Sequence, residues 1–156
     1  MSRPITQPMR SAKSQWRRRI ARLRRRVAAG DTAAAWDLGL SLLDGLQDQR
    51  GRSLVRRNSS YAVRLLRRAA EAGHSGAGAT LAYAYDVGRG IRRNRSLAIK
   101  WYRRAVRQGE VIAAANLATV YRDLGNLRNF HQWWCYGLDS WAHELFFTQT
   151  ADEGTI

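Results

Sequence analysis

Apolar and small residues recur along this chain at helical spacing, in two kinds of segment that alternate. In the first kind, Ala34, Leu38, Gly39 and Leu42 follow Gly30 at fixed intervals; Ala77, Leu81, Ala82 and Tyr85 take the same places after Gly73, and Ala113, Leu117, Ala118 and Tyr121 after Gly109. Such spacing marks one face of a helix, and its small residues require a close neighbour. In the second kind, Ala62, Leu65, Leu66, Ala69 and Ala70 form a stripe that Asn58 is placed to cap and Gly73 to stop. Asn94 and Gly109 bound a matching segment. The predicted unit is helix, glycine-bearing turn, helix.

That unit is repeated. "VRRNSSYAVRLLRRAAEAG" at 55–73 and "IRRNRSLAIKWYRRAVRQG" at 91–109 lie 36 residues apart and share nine of nineteen residues. A fixed offset with that identity is the signature of a repeat architecture. Gly45 and Val55 are separated by seven more residues than Gly88 and Ile91, so a longer loop or an extra half-turn is predicted at 46–54. Ahead of the repeats, "QWRRRIARLRRRVAA" at 15–29 carries a narrow stripe of Trp16, Ile20, Leu23 and Val27 among arginines. Counted back from Gly30, it reads as a lone second-type helix capping the array. The C-terminal "SWAHELFFTQT" is predicted to extend the last helix, with Trp141, Leu145 and Phe146 sealing it.

The stretch "GHSGAGATLAYAYDVGRGIRRNRSLAIKWYRRAVRQG" at 73–109 resembles the Sel-one-like repeat (SLR), a subclass of the tetratricopeptide superfamily: Ala, Leu, small residue, Tyr, Gly-x-Gly, cap, Ala, Trp, Ala and Gly stand in the family's order. Asn94 replaces the family's usual Asp. The third unit, "NLATVYRDLGNLRNFHQWWCYGLD" at 116–139, is closer to an ordinary tetratricopeptide repeat, with Phe130 in place of the usual Ala. The resemblance implies an all-α, right-handed solenoid of about seven helices: two SLR units, one tetratricopeptide-like unit and the N-terminal capping helix. The expected organisation is a flexible tail at 1–14, an Arg-rich capping helix at 15–29, a repeat domain at 30–147 (units 30–72, 73–108 and 109–147), and an acidic tail at 148–156.

Charge changes the picture. Lys and Arg number 27 against 12 acids, for a net charge of +15. The excess is uneven: residues 1–29 carry +10 with no acid, and residues 130–156 carry four acids and no Lys or Arg. An acidic partner is implied. Cys135 is the only cysteine, which excludes an intrachain disulfide and points to a reducing, cytoplasmic setting. No apolar run reaches the ~18–20 residues of a membrane span. "RRR" at 17–19 lacks the apolar stretch that an export signal needs. The register of the N-terminal helix with the repeats makes it part of the fold, not a mitochondrial presequence.

Catalytic motifs are missing: no Gly-rich phosphate loop, GxSxG or HExxH occurs. His131, Cys135, Asp139 and His143 fall four apart, but one helix turns about 40° beyond a full turn at each step of four, so a straight helix cannot close them on a metal. No enzyme activity, metal or cofactor is expected.

Three surfaces remain as candidates. The resemblance makes the concave face the ligand surface, presenting Trp36, Leu40 and Asp44, then Ala79, Tyr83 and Asp86, then Thr119 and Arg122; large apolar residues there could equally be core. The outer helices present a basic ridge of Arg22, Arg25, Arg26, Arg64, Arg67, Arg68, Lys100, Arg103, Arg104 and Arg107, with Arg56, Arg57, Arg92 and Arg93 on one rim. No aromatics are expected to interleave it, which leaves sequence-independent phosphate contact as its most specific use. Trp133, Tyr136 and Phe147 form the third surface, an aromatic patch for docking or homo-oligomerisation, while Trp134 is assigned to the core. The leading reading is a non-enzymatic protein-interaction module, an adaptor or regulatory subunit, that binds a protein segment in the groove and an acidic partner on its basic face. The alternatives are a nucleic-acid-associated protein and a cognate inhibitor of a toxin or effector.

Overall fold

The computed structural model describes residues 9–47, 51 and 53–150, and the side chains of 13–47, 51 and 53–139. Seven helices follow one another among these residues: α1 (Met9–Ala28), α2 (Thr32–Leu43), α3 (Ser59–Glu71), α4 (Ser75–Val87), α5 (Arg95–Arg107), α6 (Ile112–Asp123) and α7 (Leu127–Thr150). The architecture is an all-α solenoid. α1 begins at Met9, ahead of the boundary at 15 expected from its apolar stripe; the remaining expected tail residues, 1–8 and 151–156, lie outside the described residues.

Local chemistry sets the helix ends. Asn58 Oδ1 accepts from the Tyr61 amide at 3.1 Å and Asn94 Oδ1 from the Leu97 amide at 2.9 Å. Asn126 repeats the device at α7, accepting from the Asn129 amide at 3.1 Å. Each such cap is worth about 1 kcal/mol. His74 caps α4 differently, its Nδ1 accepting from the Ala77 amide at 3.2 Å. Gly73 closes α3 with φ of 98°, a left-handed conformation that costs a glycine nothing.

Each helix packs on the next, and α2 also touches α4, as α4 touches α6. The first-type helices α2, α4 and α6 therefore line the inner side of the curve, with α3, α5 and α7 outside. Their seams are filled by fully buried Leu38, Leu66, Leu81, Tyr102, Leu117 and Val120. Burying a leucine this way stabilises the fold by about 1.5–3 kcal/mol. Glycine lets the helices approach: a β-carbon built on Gly39 of α2 would lie 2.9 Å from the Leu66 side chain of α3.

At 46–55 the chain forms a small antiparallel hairpin of β1 (Leu46–Gln47) and β2 (Ser53–Val55), with Leu46 opposite Val55. β2 packs on α1, where Val55 is buried beside the Trp16 and Ile20 stripe. β2 thus covers part of the capping helix. The turn of the second unit is tighter. A β-carbon on Gly90 would sit 2.5 Å from that of Ser59 and 2.6 Å from its carbonyl oxygen, so only glycine fits where this turn meets the start of α3.

Candidate functional site

On the inner side, α2, α4 and the start of α6 enclose an open hollow of about 340 Å³, lined by Trp36, Gly76, Ala79, Thr80, Tyr83, Glu110, Ile112 and Asn116. Trp36 is fixed from below. Its indole Nε1 donates to Thr80 Oγ1 at 3.2 Å, the Thr80 hydroxyl donates to the Gly76 carbonyl at 2.8 Å, and the His74 ring lies 4.9 Å away, tilted by 38°. The tryptophan is half-buried, serving as packing and as wall together. Tyr83 is 40% exposed and Ile112 57%, with Leu40 exposed on the α2 side. Exposed apolar side chains around a concavity are the usual form of a peptide-recognition surface.

The remaining predicted groove residues behave differently. Asp44 pairs with Arg89 of the next unit at 2.5 Å, and Asp86 stands 3.6 Å from Arg95 Nε. Arg95 also reaches toward Asp123, at 3.9 Å, and its Nε has no hydrogen-bond partner among the described residues. Both predicted acids are thus tied to arginines, Asp44 across a boundary between units. Thr119 donates back to the Ala115 carbonyl at 3.1 Å, Arg122 pairs with its neighbour Asp123 at 3.4 Å, and neither lines the hollow. Glu110, Ile112, Thr80 and Asn116 were not foreseen. Thr80 and Asn116 share one register, seven residues past Gly73 and Gly109, and that repeat was the signal available.

Many arginines of the basic ridge are structural. Arg67 donates to the Tyr85 hydroxyl and Arg103 to the Tyr121 hydroxyl, each at 2.8 Å across the seam to the following first-type helix. Arg104 reaches the Glu71 carbonyl at 3.2 Å, Arg26 pairs with Asp31 at 2.6 Å, Arg93 bonds the Asp86 carbonyl at 2.7 Å, and Arg57 bonds Ser59 at 2.8 Å. The bond from the Ala34 amide, and then Arg26, hold the Asp31 carboxyl below its ordinary value. Arg22, Arg25, Arg56, Arg64, Arg68, Arg92, Lys100 and Arg107 are all exposed. Aromatics do stand among them, against expectation. Arg64 lies 5.4 Å over the Tyr61 ring and Arg104 5.2 Å over that of Trp101, because residues three apart share a helical face. Those ring faces are already covered by guanidinium groups.

The third surface is rearranged. Trp133 is half-buried against the core, whereas Trp134 is 45% exposed, the reverse of the assignment read from the sequence. In α7 Gly137 is buried against Ala114 of α6, and Trp134 is turned outward. Tyr136 is exposed and meets Trp133 edge-on at 5.8 Å. The Phe147, Trp141, Leu145 and Phe146 side chains lie outside the described residues. Cys135 is exposed, and no cluster of three metal-ligating side chains occurs among the described residues. No helix described is long and apolar enough to cross a membrane.

Comparison with known proteins places the chain. The model of the Sel1 repeat matches residues 32–74 and 79–110. Among solved structures, a Sel1 repeat protein from Oxalobacter formigenes superposes with a TM-score of 0.59 at 29% identity, covering 72% of this chain and 44% of its own. A protective antigen of uropathogenic Escherichia coli strains, displaying an SLR fold, superposes with a TM-score of 0.67 at 28% identity, covering 77% of this chain and 25% of its own. This chain thus spans less than half the length of either. No curated protein matches the sequence.

Proposed function

We propose that this chain, a Sel1 repeat (SLR) protein, is a non-enzymatic adaptor that holds a segment of a partner protein in its concave groove. Sel1 repeat proteins are generally protein–protein interaction modules. The observation that carries the reading is the hollow of about 340 Å³ to which all three first-type helices contribute, with Tyr83 and Ile112 left exposed at its rim. Its wall is apolar and aromatic, with Asn116, Thr80 and Glu110 supplying polar contacts. Such a surface suits an extended or helical segment that inserts one large apolar side chain against Trp36. The basic outer face favours a partner with acidic surroundings. Tyr83→Ala and Ile112→Asp test this, because both side chains are exposed and their loss leaves the core intact. Partner capture should fall while the far-ultraviolet circular dichroism stays unchanged, and undiminished capture would rule the groove out.

A second reading rests on the exposed cations of the outer helices, Arg64, Arg68, Lys100 and Arg107 among them. They would contact nucleic-acid phosphates without reading sequence. A gel shift on arbitrary duplex and single-stranded probes, weakening steeply with salt, would support it.

A further inference from the structure

The first and last described helices carry exposed faces of different chemistry. Each internal second-type helix has two packing faces, one toward the first-type helix of its own unit and one toward the next unit. In α3 the own-unit face is Ala62, Leu65 and Ala69, all buried; in α5 Ala105 belongs to it and lies against Gly78 of α4. Counted back from the closing glycines Gly30, Gly73 and Gly109, the same positions in α1 are Arg19, Arg22 and Arg26. No described helix precedes α1 to cover them, and all three are exposed. Together with Trp16, Arg18 and Asp37 they line an open hollow of about 620 Å³.

At the other end no described helix follows α7. Counted from the capping asparagines Asn58, Asn94 and Asn126, Trp134 and Leu138 of α7 correspond to Leu66 and Ala70 of α3 and to Tyr102 and Val106 of α5; of these, Leu66 also packs on Gly39 of its own unit. Those internal residues are buried, at 0%, 1%, 1% and 6% exposure, whereas Trp134 and Leu138 are 45% and 56% exposed. One end is therefore an arginine face and the other an aromatic and apolar face. The charge runs the same way, with +10 in residues 1–29 and four acids but no Lys or Arg in residues 130–156.

We infer that copies of this chain associate head to tail, the Arg19–Arg22–Arg26 face of α1 in one copy docking on the Trp134–Leu138 face of α7 in the next. The fold already uses this chemistry within one copy: Arg19 lies 4.9 Å over the Trp16 ring, and Arg103 lies over the Tyr121 ring at 6.0 Å where the second and third units meet. Guanidinium over indole is the strongest of the cation–aromatic pairings, and Asp139, exposed beside Leu138, adds an opposite charge. A junction between two different faces leaves one of each free, so assembly is open-ended unless it closes into a ring. The inference does not depend on what the groove binds.

Sedimentation velocity on nuclease-treated protein, across a range of concentrations, tests it. At about 0.05 M salt the wild type should grow with concentration beyond a dimer or form one closed ring, and about 1 M salt should weaken this at least tenfold as screening shortens. A head variant, Arg19→Glu with Arg22→Glu, and a tail variant, Trp134→Asp with Leu138→Asp, should each be monomeric alone. Mixed in equal amounts they should form a dimer and nothing larger, because only one intact junction remains. Arg19→Gln with Arg22→Gln serves in place of the head variant should charge reversal disturb α1. A wild type that stays monomeric at low salt overturns the inference, as does a head variant that self-associates like the wild type, or a mixture that stays monomeric.

Discussion

The arginine that bridges each seam is predicted to stabilise the fold, which removes it from the charges available to a ligand. Arg103 donates to the buried Tyr121 hydroxyl at 2.8 Å, with its guanidinium 6.0 Å from that ring, and Arg67 makes the same bond to Tyr85. Tyr121→Phe deletes the acceptor and leaves the ring in place. The guanidinium is exposed and can turn to water, so the loss falls at the neutral end of the range, about 0.5–1.5 kcal/mol. In a domain of this size each kcal/mol lowers Tm by about 2–4 °C. Arg103→Met keeps most of the stem that packs along the helix, and combining it with Tyr121→Phe completes a double-mutant cycle. Urea melts followed at 222 nm should show lower midpoints with unchanged slopes, and a coupling of about 0.5–1 kcal/mol between the two sites. Tyr85→Phe should cost a similar amount and add independently. Coupling indistinguishable from zero would refute the reasoning and return Arg67 and Arg103 to the basic ligand surface.

Two further outcomes follow from the geometry. Gly90→Ala should destabilise the protein by more than about 1–2 kcal/mol, since φ of 74° is strained for alanine and the new methyl would strike the Ser59 backbone; a melt like the wild type would show that the turn is not seated there. Asp31 has a lowered pKa in the folded state, so its ionised form contributes stability that is present above its unfolded value and lost as pH falls through the folded one. The stability advantage of wild type over Asp31→Asn should therefore shrink on acidification, and a constant difference across that range would mean that neither the Ala34 amide bond nor the Arg26 pairing favours the ionised carboxyl.

How legible the molecule was in its sequence differs from element to element. The repeat register placed Leu38, Leu81 and Leu117 in the core and Asn58 and Asn94 at helix starts, because 3.6-residue periodicity and capping act within a few residues of one another. The hairpin at 46–55 escaped, since strands of two and three residues are too short to show alternation. The start of α1 at Met9 lies beyond its apolar stripe, where arginine and alanine favour helix without marking a boundary. Trp133 and Trp134 were exchanged because they are adjacent on the helix, and the small-residue stripe that aligns the earlier units is replaced here by aromatics. In the groove, Trp36, Ala79 and Tyr83 followed from the repeat register and the resemblance, while Glu110 lies in the turn ahead of α6 and Ile112 takes the register of the small Gly76, so neither stood out as a wall residue.

The central claim is that the inner face holds a protein segment, and site-specific photo-crosslinking in the native cell tests it most directly. A photoreactive phenylalanine analogue would be placed at Tyr83 or Ile112 in the groove, and at Arg68 on the outer face. The account predicts one discrete protein adduct from both groove positions, insensitive to nuclease, with the crosslink mapping to a single segment of the partner. Adducts formed only from the outer position, or adducts that nuclease removes, would contradict it.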